Sequence, residues 1–106
     1  MANYLLVYKG GGGNRPETPE EQKKVMDAWT GWFGQMGAAV VDGGNPFGPS
    51  ASVGPDKSVK DGASSGLTGY SIVKADTLQA AADLAKGCPH LSDGGTVEVY
   101  ETFAVM

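Results

Sequence analysis

The chain has one cysteine and one histidine in 106 residues. A lone cysteine excludes an internal disulfide and fits a reducing compartment, the cytoplasm. One Cys and one His leave a structural zinc site short of ligands within a subunit, so neither metal nor cofactor is expected. Positive charge is scarce as well: 8 Lys and Arg stand against 12 Asp and Glu, for a net charge of −4. An acidic chain has no general field to attract phosphate backbones, which argues against nucleic acid as a partner. No apolar run approaches the ~20 residues of a membrane helix, so no membrane is expected. The start Met1-Ala2-Asn3 lacks the basic region of a signal peptide.

Glycine, by contrast, is abundant: 17 residues, more than twice its usual share of about 7%. The glycines are not periodic, which excludes collagen. They cluster between apolar runs, at Gly10–Gly13, Gly43–Gly44, Gly62, Gly66, Gly69 and Gly94–Gly95, and so mark turns. The 41% hydrophobic content supplies a globular core. The length fits one small domain, residues 1–106.

Asn3 to Tyr8 is a strand run without a breaker, apolar on both alternating faces, which predicts a central strand covered on both sides. Lys9 to Pro16 reads as a loop. Thr18-Pro19-Glu20-Glu21 has the cap, first-turn proline and Thr-x-x-Glu spacing of a helix start. Val25, Trp29, Trp32, Phe33 and Met36 then follow at helical spacing to Gly37. Gly31 and Gly34 inside that helix predict a close approach to another backbone. Ala38 to Val41 is a second strand. Ser50 to Val53 and Ser58 to Lys60 flank the turn Gly54-Pro55-Asp56-Lys57 and predict an inserted β-hairpin. Leu67 to Lys74 is the third main strand, with Leu67, Gly69, Ser71 and Val73 on one face. Asp76, with Gln79 at the reciprocal position, predicts the cap of a second helix that Gly87 and Pro89 end. Thr96 to Phe103 is the last strand, with Val97, Val99 and Phe103 inward.

The order β-α-β-hairpin-β-α-β predicts an α+β, ferredoxin-like split βαβ fold with both helices on one sheet face. The other face stays open and apolar, which predicts a partner sheet and hence a homodimer.

Several constellations bear on chemistry. The Gly10–Gly13 run lacks the Gly-Lys-Ser/Thr of a phosphate loop and reads as a connector. Cys88-Pro89-His90 sets a nucleophile near a base, but residues two apart across a proline seldom face each other. Cys88 also follows a helix C-terminus, whose dipole disfavours a thiolate. Cys88 therefore reads as an inert packing residue, and His90 as an exposed loop residue or a pocket wall. Asp42 and Asn45 flank a Gly-Gly turn and Asp61 sits in another. If these turns converge they offer carboxylate and amide to a small polar ligand; ordinary turn chemistry explains them equally. With Tyr70, Cys88 and His90 they make up the candidate pocket. Trp29, Trp32 and Phe33 read as core, with a ligand-stacking wall as the alternative.

The runs Tyr4-Leu5-Leu6-Val7-Tyr8, Pro19-Glu20-Glu21, Asp42-Gly43-Gly44-Asn45-Pro46, Asp61-Gly62, Gly87-Cys88-Pro89 and Gly95-Thr96-Val97-Glu98-Val99 together resemble the YCII-related, or DGPF-domain, family over nearly the whole chain. The resemblance implies a ferredoxin-like fold that pairs into a dimeric α+β barrel. The family's Asp-Gly-Pro-Phe reads Asp61-Gly62-Ala63-Ser64 here. Some members carry a His–Asp pair proposed as catalytic, whose positions fall on Met26 and Cys88, so that chemistry does not carry over. The function expected is that of a dimeric small-molecule-binding protein. The alternatives are a cofactor-independent isomerase or lyase acting on a small cyclic or aromatic compound, by fold analogy, and a regulatory module linked to transcriptional signalling.

Overall fold

A computed structural model describes residues 1–11 and 18–104. Gly12 and Gly13 of the glycine run, and the rest of the loop to Pro16, lie outside the described residues. The elements in order are β1 (Ala2–Gly10), α1 (Pro19–Met36), β2 (Val40–Asp42), β3 (Ala51–Val53), β4 (Val59–Asp61), β5 (Leu67–Ala75), α2 (Leu78–Ala85), α3 (Pro89–Ser92) and β6 (Gly95–Glu101). This is a mixed α+β architecture. Four strands form one antiparallel sheet in the order β2-β5-β1-β6, while β3 and β4 form a separate two-stranded sheet. Among the described residues, no helix is long and apolar enough to cross a membrane.

β1 is central, as its two apolar faces predict, flanked by β5 and β6. Its Tyr4, Leu6 and Tyr8 share a buried cluster with Val73 and Ala75 of β5, Trp32 and Met36 of α1, and Ala81 and Ala85 of α2. One layer of helices thus covers one sheet face. The large aromatic stripe of α1 and the small alanines of α2 complement each other there, as close packing requires. Trp32 bridges the two helices: its Nε1–H donates to the Leu84 carbonyl at 3.0 Å. Gly87 allows this approach, since a Cβ there would lie 3.0 Å from Trp32 Cδ1.

Thr18 caps α1 by accepting from the Glu21 backbone N–H at 3.1 Å, and Gly37 at φ 54° ends it. Other expectations need correction. Gly31 and Gly34 approach no backbone; a Cβ at either would meet open space. Gly37–Ala39 forms a 3-10 turn, so β2 begins at Val40 and not at Ala38. β1 runs on through Lys9 to Gly10, which pairs with Gly95. α2 is capped by Thr77, whose hydroxyl accepts from Ala80 N–H at 3.0 Å, and not by Asp76. Gln79 bonds Asp83 instead of reaching back to a cap. Pro89 does more than stop a helix, since it opens the single turn α3 at the first position, where its missing N–H is harmless. Val25 lies on the exposed side of α1. Phe103, expected inward, follows the end of β6 and is 81% exposed.

Leu67 also departs from the expected face. β5 carries one extra residue, Thr68, between the partners of Tyr8 and Lys9. This bulge turns Leu67 toward the helix-free face, where it lines a groove with Leu5, Val7 and Tyr100. Thr68 patches the broken ladder, its hydroxyl donating to the Tyr8 carbonyl at 3.2 Å.

Candidate functional site

The core turns polar between β1 and β5, where Tyr8 meets Ser71. Ser71 is fully buried on the helix-covered face of β5, and its hydroxyl donates to the Gly43 carbonyl at 2.7 Å. The Tyr8 hydroxyl lies 2.5 Å from Ser71 Oγ. The one Ser71 proton is committed to the carbonyl, so the Tyr8 phenol donates its own proton to Ser71. Burial pushes the Tyr8 phenol up to about 12, against a partial opposing effect of the Ser71 bond. The result is a directed chain, Tyr8 to Ser71 to Gly43, held neutral inside an apolar core.

Aromatic rings surround the Tyr8 end. Trp29 meets the Tyr8 ring edge-on at 5.1 Å between centroids, and the His90 ring is tilted against it at 5.6 Å. Trp29 continues into Trp32 and Phe33. His90 reaches this position because α3 lays it across the end of β1. Its Nε2 is 3.0 Å from the Lys9 carbonyl oxygen. A carbonyl only accepts, so Nε2 carries the hydrogen and Nδ1 faces away from this bond. The ring sits against Gly95, where any Cβ would collide with it, and against Gly11, where a Cβ would lie 2.8 Å from its Cε1. His90 is thus half-buried in a glycine cradle on a helical turn, not an exposed loop residue.

Cys88 caps α3 from inside the core, 2% exposed. Burial pushes its thiol up to about 11, opposed in part by a bond from the His90 backbone N–H. A thiol so raised is protonated at neutral pH and is no nucleophile.

The remaining sequence candidates lie elsewhere. Asp42, Asn45 and Tyr70 do come together: Tyr70 O–H donates to Asp42 Oδ2 at 3.2 Å, and Tyr70 N–H donates to the Asn45 carbonyl at 3.4 Å. Asp42 Oδ1 also accepts from Gly44 N–H at 2.8 Å, the turn chemistry that explains an Asp here. Phe47 stacks on Tyr70 at 6.0 Å. Tyr70 points to the face opposite Ser71, so its hydroxyl contact with Asp42 and the Cys88–His90 pair lie on opposite sides of the sheet, while Asn45 joins only through its backbone carbonyl at the sheet edge. Asp61 belongs to neither. It is exposed in β4, paired with Ala51. Met26 is exposed on α1. Among the described residues, no cluster of three or more Cys, His, Asp or Glu is disposed to hold a metal.

Two concave features lie outside the aromatic cluster. One, of about 580 Å³, is the groove on the helix-free sheet face. The other, of about 560 Å³, lies along the hairpin from Ser52 to Lys60.

Tyr8, Ser71 and Trp29 form the polar-aromatic centre, yet neither Tyr8 nor Ser71 is prominent as a sequence motif. A serine between Gly69 and Val73 on the core-facing phase of a strand is the one signal available, because a buried hydroxyl demands a partner. Compared with protein-family models and with curated proteins, the chain matches none.

Proposed function

We propose that the chain is a homodimeric small-molecule-binding protein of the YCII-related type, acting in the cytoplasm. The fold proposed for it is the ferredoxin-like split βαβ, with the hairpin inserted and the open faces pairing into an α+β barrel. The strand order β2-β5-β1-β6, with every neighbour antiparallel, supports that reading. So does the single helix layer, which leaves Leu5, Val7, Leu67 and Tyr100 lining an uncovered face.

Binding rests on one observation: the partly exposed rings of Trp29 and His90 both pack on Tyr8, whose buried hydroxyl is bonded to Ser71. Aromatic faces recognise flat apolar bodies, and His90 adds a directional polar group. A small, neutral, flat compound fits this chemistry. Neither Tyr8 nor Cys88 ionises at neutral pH, which favours binding over nucleophilic catalysis. The alternative, a cofactor-independent isomerase or lyase, draws on His90. With Nε2–H held by the Lys9 carbonyl, Nδ1 is the ring atom left to exchange a proton with a bound molecule.

NMR titration of the isotope-labelled protein with a panel of small neutral aromatic compounds tests this. Saturable shifts at the Trp29 indole and His90 imidazole are expected. Shifts confined to Leu5, Val7 and Tyr100 would move the site to the open face and refute the assignment. Chemical conversion of a bound compound, abolished in His90→Gln, would favour the enzyme.

A further inference from the structure

The hairpin stands off from the rest of the molecule. Among the described residues, β3 and β4 pair with each other and pack substantially on no other element. Val53 and Val59 lie directly opposite one another, on one face of the hairpin, and each is 68% exposed. A lone two-stranded hairpin is marginally stable in water, and two cross-strand valines contribute little until something covers them. The turn is nonetheless tightly built. Asp56 accepts from both the Ser58 backbone N–H at 3.0 Å and its hydroxyl at 2.7 Å, and Lys57 takes a φ of 68°. A rigid tip that presents uncovered valines is shaped for contact.

The size of the surface indicates what covers it. The chain exposes 7462 Å², whereas a compact monomer of this length exposes about 5,600 Å². The radius of gyration is 15.4 Å, against about 13 Å for a compact chain of 106 residues. The excess of nearly 2,000 Å² exceeds the ~800 Å² that each partner contributes to a standard interface. The body is also only 18 Å thick along its shortest axis, one sheet and one helix layer. The hairpin is rooted at the edge of the open groove. Its returning strand leads through Ser65 to Leu67, and both residues line that groove.

We propose that the hairpin is an arm that packs on a second copy of this chain, seating Val53 and Val59 on that copy's open sheet face beside Leu67 and Tyr100. Asp61, on the same hairpin face as the two valines, and Lys9 of the groove carry opposite charges, which suits the contact. The inference rests on the homodimer reading above and adds to it how the dimer is held.

Sedimentation velocity on the wild-type chain and on the double variant Val53→Thr/Val59→Thr tests it. Thr keeps the branched shape and strand preference, so circular dichroism of the variant should match wild type. The wild type should dimerise, and the variant's dissociation constant should rise by about tenfold or more. A benzophenone side chain at position 53, in dimers mixed from light and heavy isotope chains, should cross-link between chains to peptides containing Leu67 or Tyr100. A dimeric wild type with an equally dimeric variant and no inter-chain cross-link refutes the arm and leaves the dimer standing. A wild type that stays monomeric refutes both.

Discussion

Removing the Trp32 side chain takes away the joint between the two main helices. Trp32 is 4% exposed, packs on Trp29 and Phe33, donates to the Leu84 carbonyl and fills the space left by Gly87. Trp32→Ala loses the transfer energy of a large ring, leaves a cavity, and removes the indole donor from the Leu84 carbonyl, which keeps the Gly87 N–H at 3.3 Å. Core aromatic deletions of this kind cost roughly 3–5 kcal/mol, and the lost hydrogen bond accounts for about 1 kcal/mol of that. Against a total stability of about 5–15 kcal/mol this removes about a fifth or more. At about 4–8 °C per kcal/mol, the melting temperature should fall by roughly 12–40 °C. Trp32→Phe separates the contributions. It keeps most of the ring and loses only the indole donor, so it should cost about 1–2 kcal/mol. Thermal and urea unfolding followed by circular dichroism, at fixed protein concentration because dimerisation shifts the midpoint, provides the measurement. A Trp32→Ala midpoint within about 3 °C of wild type would show that the helices are held by something other than this contact.

Because a Cβ at Gly31 or Gly34 meets nothing, Gly31→Ala and Gly34→Ala should each raise stability by about 0.5–1 kcal/mol in urea unfolding; a loss at either would place a neighbour against that face. Alkaline pH should destabilise the fold. The folded pKa values of Tyr8 and Cys88 are raised to about 12 and about 11 from 10.0 and 9.0. The folded state therefore holds protons that the unfolded chain releases. Their contribution is complete below about pH 9 and is lost between about pH 9 and 12. Tyr8→Phe should lower stability at pH 8 by about 1–2 kcal/mol, because Ser71 loses its donor. It should also flatten the decline above pH 10, so urea midpoints that fall equally steeply in both proteins would overturn the role given to the phenol.

Features set by neighbouring residues were legible in the sequence. The breaker-free run through Tyr8, the Thr18–Pro19 helix start and the Gly54-Pro55-Asp56-Lys57 turn each fold as their local chemistry requires. Choices between equal local options were not legible. Asp76 and Thr77 both cap well, and the decision falls to Thr77 because it is the extended residue whose side chain reaches the first helical turn. Pro89 both ends one helix and begins the next, and only the direction of the chain after it decides which matters. The helical cost of Gly31 is the same whether its space is filled or empty, so composition alone does not show which. The candidate pocket failed to assemble for a similar reason. Tyr70 and Ser71 are adjacent in sequence, and adjacency in a strand means opposite faces. Asp42 therefore followed Tyr70 to one side while His90 and Cys88 lay on the other. The Tyr8–Ser71 pairing depends on strand register between residues 63 positions apart, which alternation within one strand does not reveal.

Thr68, the extra residue of β5, acts as a phase shifter. In a period-two element, one residue inserted into the ladder exchanges the two sides of everything that precedes it. Within β5 only Leu67 precedes Thr68, and it is the residue whose side is exchanged. Deleting Thr68 would preserve every turn motif and nearly all of the composition, yet direct Leu67 toward the helices. A single position in the backbone ladder therefore decides whether a large apolar side chain joins the core or the outer surface, and the chain can gain or lose residues at the hairpin tip far more freely than at this point.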